Sequence, residues 1–183
     1  MSGFLRISGD YKQWNVYRKS VVICDVTELF ITMHMPQFGV RTVDQMRQAA
    51  RSCKQNIVEG ISDGTVSVEM SIKLLGVARG SVRELGEDYE DYLRQHGLTV
   101  WPVNDPRTEA TRKYCLTHLD STDFIDKCRN RTDETVANIM LTMVHQVDAA
   151  LGLTLKNIED EFLANGGIRE AMTRARLSSR NNQ

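Results

Sequence analysis

The sequence predicts an all-α fold, an antiparallel up-and-down four-helix bundle, and three observations carry that prediction. Only three prolines occur among 183 residues, Pro36, Pro102 and Pro106, where average usage of ~5% gives about nine. The stretches 37–101 and 107–183 are therefore free of helix breakers. Apolar residues in the long segments recur at spacings of three and four, with no strand-like alternation and no internal repeat. Short polar or glycine-bearing connections separate those segments, as they do between antiparallel neighbours in a bundle.

Composition sets the frame. Hydrophobic residues at 41% and charged residues at 26% describe a soluble globular chain and exclude a disordered one. A chain this long buries about 70% of its unfolded surface and needs neither disulfide nor metal to fold. With 23 Lys and Arg against 24 Asp and Glu, the net charge is −1, so no global field steers the protein towards nucleic acid or membrane.

The first helix is expected over 11–35, capped by Asp10 and stopped by Pro36 and Gly39. It carries two apolar stripes, Trp14, Tyr17, Val21, Cys24 and Ile31 on one and Val22, Val26, Leu29, Phe30 and Met33 on the other. One stripe suffices for a bundle core; the second calls for a further contact, from the C-terminal segment or a neighbouring subunit. The second helix, 42–62, opens at the capping box Thr42-x-x-Gln45. Its seam is Val43, Met46, Ala50, Cys53 and Ile57, and Gly60 and Gly64 break it.

The third helix, 66–95, is capped by Thr65 or Ser67 and terminated by Gly97. Its seam is Ile72, Leu75, Val82, Leu85, Tyr89 and Tyr92. Gly76 and Gly80 each cost about 1 kcal/mol of helix propensity relative to alanine, which suggests close helix packing there. An insertion at 98–131 holds one or two short helices, interrupted near Asp120 and Ser121. The last bundle helix, 132–165, is capped by Thr132 or Asp133 and buries Val136, Ile139, Met140, Met143, Val147, Leu151, Ile158 and Phe162. Gly166 and Gly167 end it, and a tail over 166–183 completes a single domain.

The four cysteines, Cys24, Cys53, Cys115 and Cys128, form no C-x-x-C pair and read as reduced core fillers. The N-terminus lacks a signal-peptide apolar run, and the greasiest window, Val21 to Met35, carries Asp25, Glu28 and His34. A cytoplasmic protein with no membrane partner is expected.

Four-helix bundles often hold metals, so that chemistry is tested first. A carboxylate-bridged di-metal site needs Glu-x-x-His on two helices. His34, His96, His118 and His145 are preceded at three residues by Ile31, Leu93, Cys115 and Thr142, so the motif is absent. Glu84, Glu87, Asp88 and Asp91 share a helix face, read as solvated surface. No serine elbow, Cys-His-Asn set or phosphate loop occurs. No catalytic residue, metal or cofactor is therefore expected.

Two features remain. Asn56 and Glu59 flank the seam on the second helix, and Arg79, Ser81 and Glu84 lie around Gly80 on the third. Antiparallel pairing brings these stretches together as a buried polar network fixing helix register. The alternative is a site. Arg47, Arg51 and Lys54 form a basic stripe, with Arg41 near its start. The tail adds Arg169, Arg174, Arg176 and Arg180 against Glu170 alone. Both are candidate nucleic-acid or partner contacts.

The stretch Gln48-Ala49-Ala50-Arg51-Ser52-x-x-x-Asn56-Ile57-x-Glu59-Gly60 is followed by Glu69-x-x-x-Lys73-Leu74-x-x-Val77-Ala78-Arg79-Gly80-Ser81-x-x-Glu84-Leu85. Together they resemble the bacterial four-helix bundle proteins. These include intervening-sequence proteins encoded within large-subunit ribosomal RNA genes and accessory variability determinants of diversity-generating retroelements. The run Asp88 to Leu98 and the Gly-Gly tail resemble the branch with a four-helix-bundle suffix domain. The likeness covers 11–98 most closely. It implies a non-enzymatic bundle assembling into a ring, a homopentamer as seen among relatives, that acts as scaffold or adaptor. The retroelement branch implies a reverse transcriptase as partner and binding of nucleic acid through strongly basic surfaces. Here the sequence pI is about 6.4, and 101–165 holds seven basic and eleven acidic residues, net −4.

Overall fold

Capping chemistry sets most of the helix boundaries. The computed structural model describes residues 10–35, 39–61 and 67–165. Among them are six α-helices and no strand: α1 (Asn15–His34), α2 (Val40–Gly60), α3 (Val68–Gln95), α4 (Pro106–Thr117), α5 (Ser121–Cys128) and α6 (Asp133–Asn165). The fold is all-helical, as expected.

Asp10 caps a short 3-10 turn, Tyr11–Gln13, rather than the long helix, accepting from the Lys12 amide at 3.0 Å. Trp14 is extended, and α1 begins after it. The expected capping box at Thr42 is also corrected. Gly39 is the N-cap of α2, and the Thr42 amide already donates to the Gly39 carbonyl at 3.1 Å. Ser67 caps α3, its Oγ accepting from the Met70 amide at 3.2 Å. At the other end Gly97 has φ +67°, and the Leu98 amide reaches the Leu93 carbonyl at 2.8 Å. That pair of features closes the helix in a Schellman motif, for which glycine has no steric penalty.

The insertion folds as two helices. Pro106 occupies the first turn of α4, where its missing N–H costs nothing, and Asp105 caps it through the Arg107 amide at 2.8 Å. Asp120 caps α5 through the Thr122 amide at 2.8 Å. Thr132 opens α6, accepting from the Thr135 amide at 3.3 Å.

Contacts run in reversed order along three pairs, α1 with α2, α2 with α3 and α3 with α6. On α1 and α2, Glu28 meets Arg47 and Cys24 meets Ala50. On α2 and α3, Ser52 meets Ser81 and Gly60 meets Leu75. On α3 and α6, Tyr92 meets Asp133, Gly86 meets Val144 and Arg83 meets Asp148. Helix α1 also packs on α6 and on α5, and α4 lies against α6.

One contiguous apolar cluster contains residues from all six helices. The α2 seam, Val43, Met46, Ala50, Cys53 and Ile57, is buried throughout. On α1 the buried face is Val22, Ile23, Val26, Phe30 and Ile31, between the two expected stripes; Met33 is exposed. Within the chain α1 also meets α5, whereas the C-terminal segment beyond 165 lies outside the described residues. Every residue from Val136 to Val144 on α6 is buried. That explains why α6 is long and apolar enough to cross a membrane by length and composition, although 61% of its apolar window is buried in the fold. The expected tail and its Gly166-Gly167 break lie outside the described residues.

Candidate interaction surface

Burial decides which polar residues of α2 and α3 work together. Asn56 donates through Nδ2 to the Ser52 carbonyl at 2.9 Å and to Ser52 Oγ at 3.3 Å. Ser52 Oγ lies 2.8 Å from Ser81 Oγ, which bridges α2 to α3. The other members of the expected network are placed elsewhere. Glu59 and Glu84 are exposed. Arg79 turns away from α2 and donates through Nε to Asp148 Oδ1 on α6 at 2.8 Å. Arg83, one turn on, reaches the same carboxylate at 2.7 Å. The reason is angular: Ser81 faces α2, whereas Arg79 and Arg83 lie on the side of α3 that meets α6.

Asp148 was not anticipated, yet it has a signal, being the one carboxylate between Glu134 and Glu159 on an apolar helix. Burial pulls its carboxyl upward, but hydrogen bonds from Arg83 and Arg79, with their charges, outweigh that and hold its pKa below the usual value. Beside it Gly152 leaves room for the Arg79 guanidinium.

The glycine expectation is corrected in the same way. A Cβ built on Gly76 or Gly80 meets nothing within 4 Å, so no described segment approaches them closely. The close approaches fall at Gly60 against Leu75, Gly86 against Val144 and Gly152 against Arg79.

Two charged surfaces flank α2. A groove of about 430 Å³ between α2 and α3 is lined by Gln45, Gln48, Ser52, Glu84, Asp88 and Asp91, among others. Burial, then the charges of Asp91, Glu84 and Glu87, push the Asp88 carboxyl up to about 6. Towards α1, the expected basic stripe is partly neutralised, because Arg47 makes a bidentate pair with Glu28 at 2.7 Å in both bonds. Arg51 and Lys54 form no ion pair among the described residues, and Arg51 is exposed. Arg169, Arg174 and Arg176 lie outside the described residues.

The four cysteines are held as thiols. Burial pushes the Cys24, Cys115 and Cys128 thiols up to about 11 and Cys53 to about 12, so they are protonated at neutral pH. Burial also lowers the His34 pKa against the pull of Asp133, and its Nε2 has no hydrogen-bond partner among the described residues. No group of three or more His, Cys, Asp or Glu among the described residues could hold a metal ion. Comparison with family models, curated proteins and solved structures finds no match to this chain.

Proposed function

We propose that the chain is a non-enzymatic cytoplasmic scaffold, an up-and-down bundle of α1, α2, α3 and α6 carrying α4 and α5 as an insertion within one domain. It assembles with copies of itself and presents surfaces to a partner. The reversed order of contacts from α1 to α2, α2 to α3 and α3 to α6 supports the bundle reading. The observation that carries self-assembly is apolar helix surface that the described residues leave uncovered: Leu153 is 62% and Leu163 80% exposed on α6. The resemblance to bacterial four-helix bundle proteins adds the form of the assembly, a ring of five. Protonated, buried thiols support a role carried by surface rather than by nucleophilic chemistry. The mass of the native protein in solution tests this reading.

A second reading is a nucleic-acid-binding accessory of a reverse transcriptase or of a ribosomal RNA element. It is favoured by Arg41, Arg51 and Lys54, which are in no ion pair among the described residues. Binding of this kind is weak, indifferent to base sequence and lost between about 50 and 200 mM salt, because phosphate contacts release counterions. A filter-binding titration across salt, with Arg51 and Lys54 reversed to glutamate, tests it. Affinity that the reversal leaves unchanged removes the reading.

A further inference from the structure

The outward face of α3 has a regularity that the core does not explain. Met70, Lys73, Val77, Gly80, Glu84 and Glu87 follow one another at spacings of three, four, three, four and three, the period of a helix-pairing seam. All six are exposed, so this seam is separate from the buried one on the opposite side of the helix. Its centre is flat: Gly80 and the adjacent Gly76 have open space where a Cβ would stand. Two glycines inside a 28-residue helix each lose about 1 kcal/mol of propensity. Nothing among the described residues offsets that loss.

The seam is also self-complementary. Lys73 and Glu84, Val77 and Gly80, and Met70 and Glu87 share one midpoint, between Ala78 and Arg79. Laid antiparallel on a second copy of itself about that midpoint, the helix brings Lys73 to the partner's Glu84, and the reverse by symmetry. Val77 then faces the partner's Gly80, where the missing side chain allows close approach. Met70 lies along the aliphatic part of the partner's Glu87. Lys73, Glu84 and Glu87 are in no ion pair among the described residues, so the charges are available. A parallel pairing sets Glu84 against Glu84 and Lys73 against Lys73, which disfavours it.

We propose that the outer face of α3 is a docking site for a second copy of this chain, paired antiparallel about a twofold axis at a shallow crossing angle. The contact is isologous, the same patch serving both copies. It goes beyond the ring proposed above, since a twofold contact cannot close a five-membered ring. It pairs two chains, or one ring with another.

Charge reversal with rescue tests the contact, read as assembly mass by sedimentation across a micromolar concentration series. Lys73→Glu and Glu84→Lys each convert two attractive pairs into two repulsive ones. Each is expected to weaken pairing about tenfold or more and to halve the mass. The double variant, Lys73→Glu with Glu84→Lys, restores both pairs and the native mass. All four positions in the two partners are exposed, and unchanged circular dichroism confirms that folding is intact. The proposal is overturned by single reversals that leave the mass unchanged, or by a double variant as dissociated as the singles. A five-chain assembly that never pairs overturns this contact and leaves the ring standing. A two-chain assembly supports the contact and removes the ring.

Discussion

The Arg79 guanidinium lies against Gly152, with its Cζ only 2.9 Å from where a Cβ on that glycine would stand. The glycine on α6 is what allows an arginine from α3 to lie flat beside the helix and reach Asp148. A Gly152→Ala protein must displace the Arg79 guanidinium from its place against α6, which offsets part or all of the ~1 kcal/mol gained in helix propensity. Gly76→Ala and Gly80→Ala meet open space and gain about 0.5–1 kcal/mol each in the dilute chain. Denaturant titration is expected to show both exposed replacements more stabilising than Gly152→Ala.

Because Arg83 shares Asp148, losing Arg79 does not leave a carboxylate without a partner. Arg79→Met is therefore expected to cost about 1 kcal/mol, the worth of one partly exposed hydrogen-bonded pair, rather than the larger loss that a stranded buried charge brings. Asp148→Asn removes the negative charge that both arginines pair with, leaves a single neutral amide oxygen as acceptor, and is expected to cost about 2 kcal/mol at neutral pH. Its pKa is depressed in the fold, so this stability is present above the unfolded value of 3.8 and is lost as pH falls through the folded value. The native and Asp148→Asn melting curves are expected to converge in acid.

Asp88 has the opposite sign. Its pKa rises from 3.8 to about 6 on folding, so the fold favours the protonated carboxyl. The contribution is full below 3.8 and declines as pH rises through about 6. Asp88→Asn, which stays neutral, is expected to raise the melting temperature at pH 7 and to leave it unchanged near pH 4. An NMR titration should place the Asp88 midpoint close to 6.

The 98–105 connection is pinned by one buried side chain. Asn138 accepts from the Trp101 amide at 2.7 Å and donates to the Thr99 carbonyl at 2.8 Å. Trp101 Nε1 adds a bond to Glu134 at 3.3 Å, and Arg107 covers the indole ring at 4.5 Å. Asn138→Ala strands both backbone groups and is expected to cost about 2–3 kcal/mol. Hydrogen exchange should report faster amide exchange at Trp101, with the α2–α3 contacts unaffected.

The sequence made the helices legible because caps and seams are local. Ser67 and Gly97 act within a turn of themselves, and the α2 seam needs only the period of its own helix. What was not legible depended on which neighbour stands on which side. Arg79 and Ser81 are two residues apart, yet a rotation of about 200° sends one to α6 and the other to α2. Seam spacing gave no way to tell that Glu59 and Glu84 face solvent, or that Gly152 rather than Gly76 or Gly80 receives a side chain. The double apolar face of α1 was legible as a demand for a second contact. That α5 packs on α1 as well depends on the path of the insertion.

The account rests most directly on self-assembly, and native mass spectrometry of the purified protein at micromolar concentration measures it. Five copies of the 20.8 kDa chain are predicted, or ten where the α3 seam joins two rings. A mass of one chain at every concentration, with the helical spectrum intact, would contradict it.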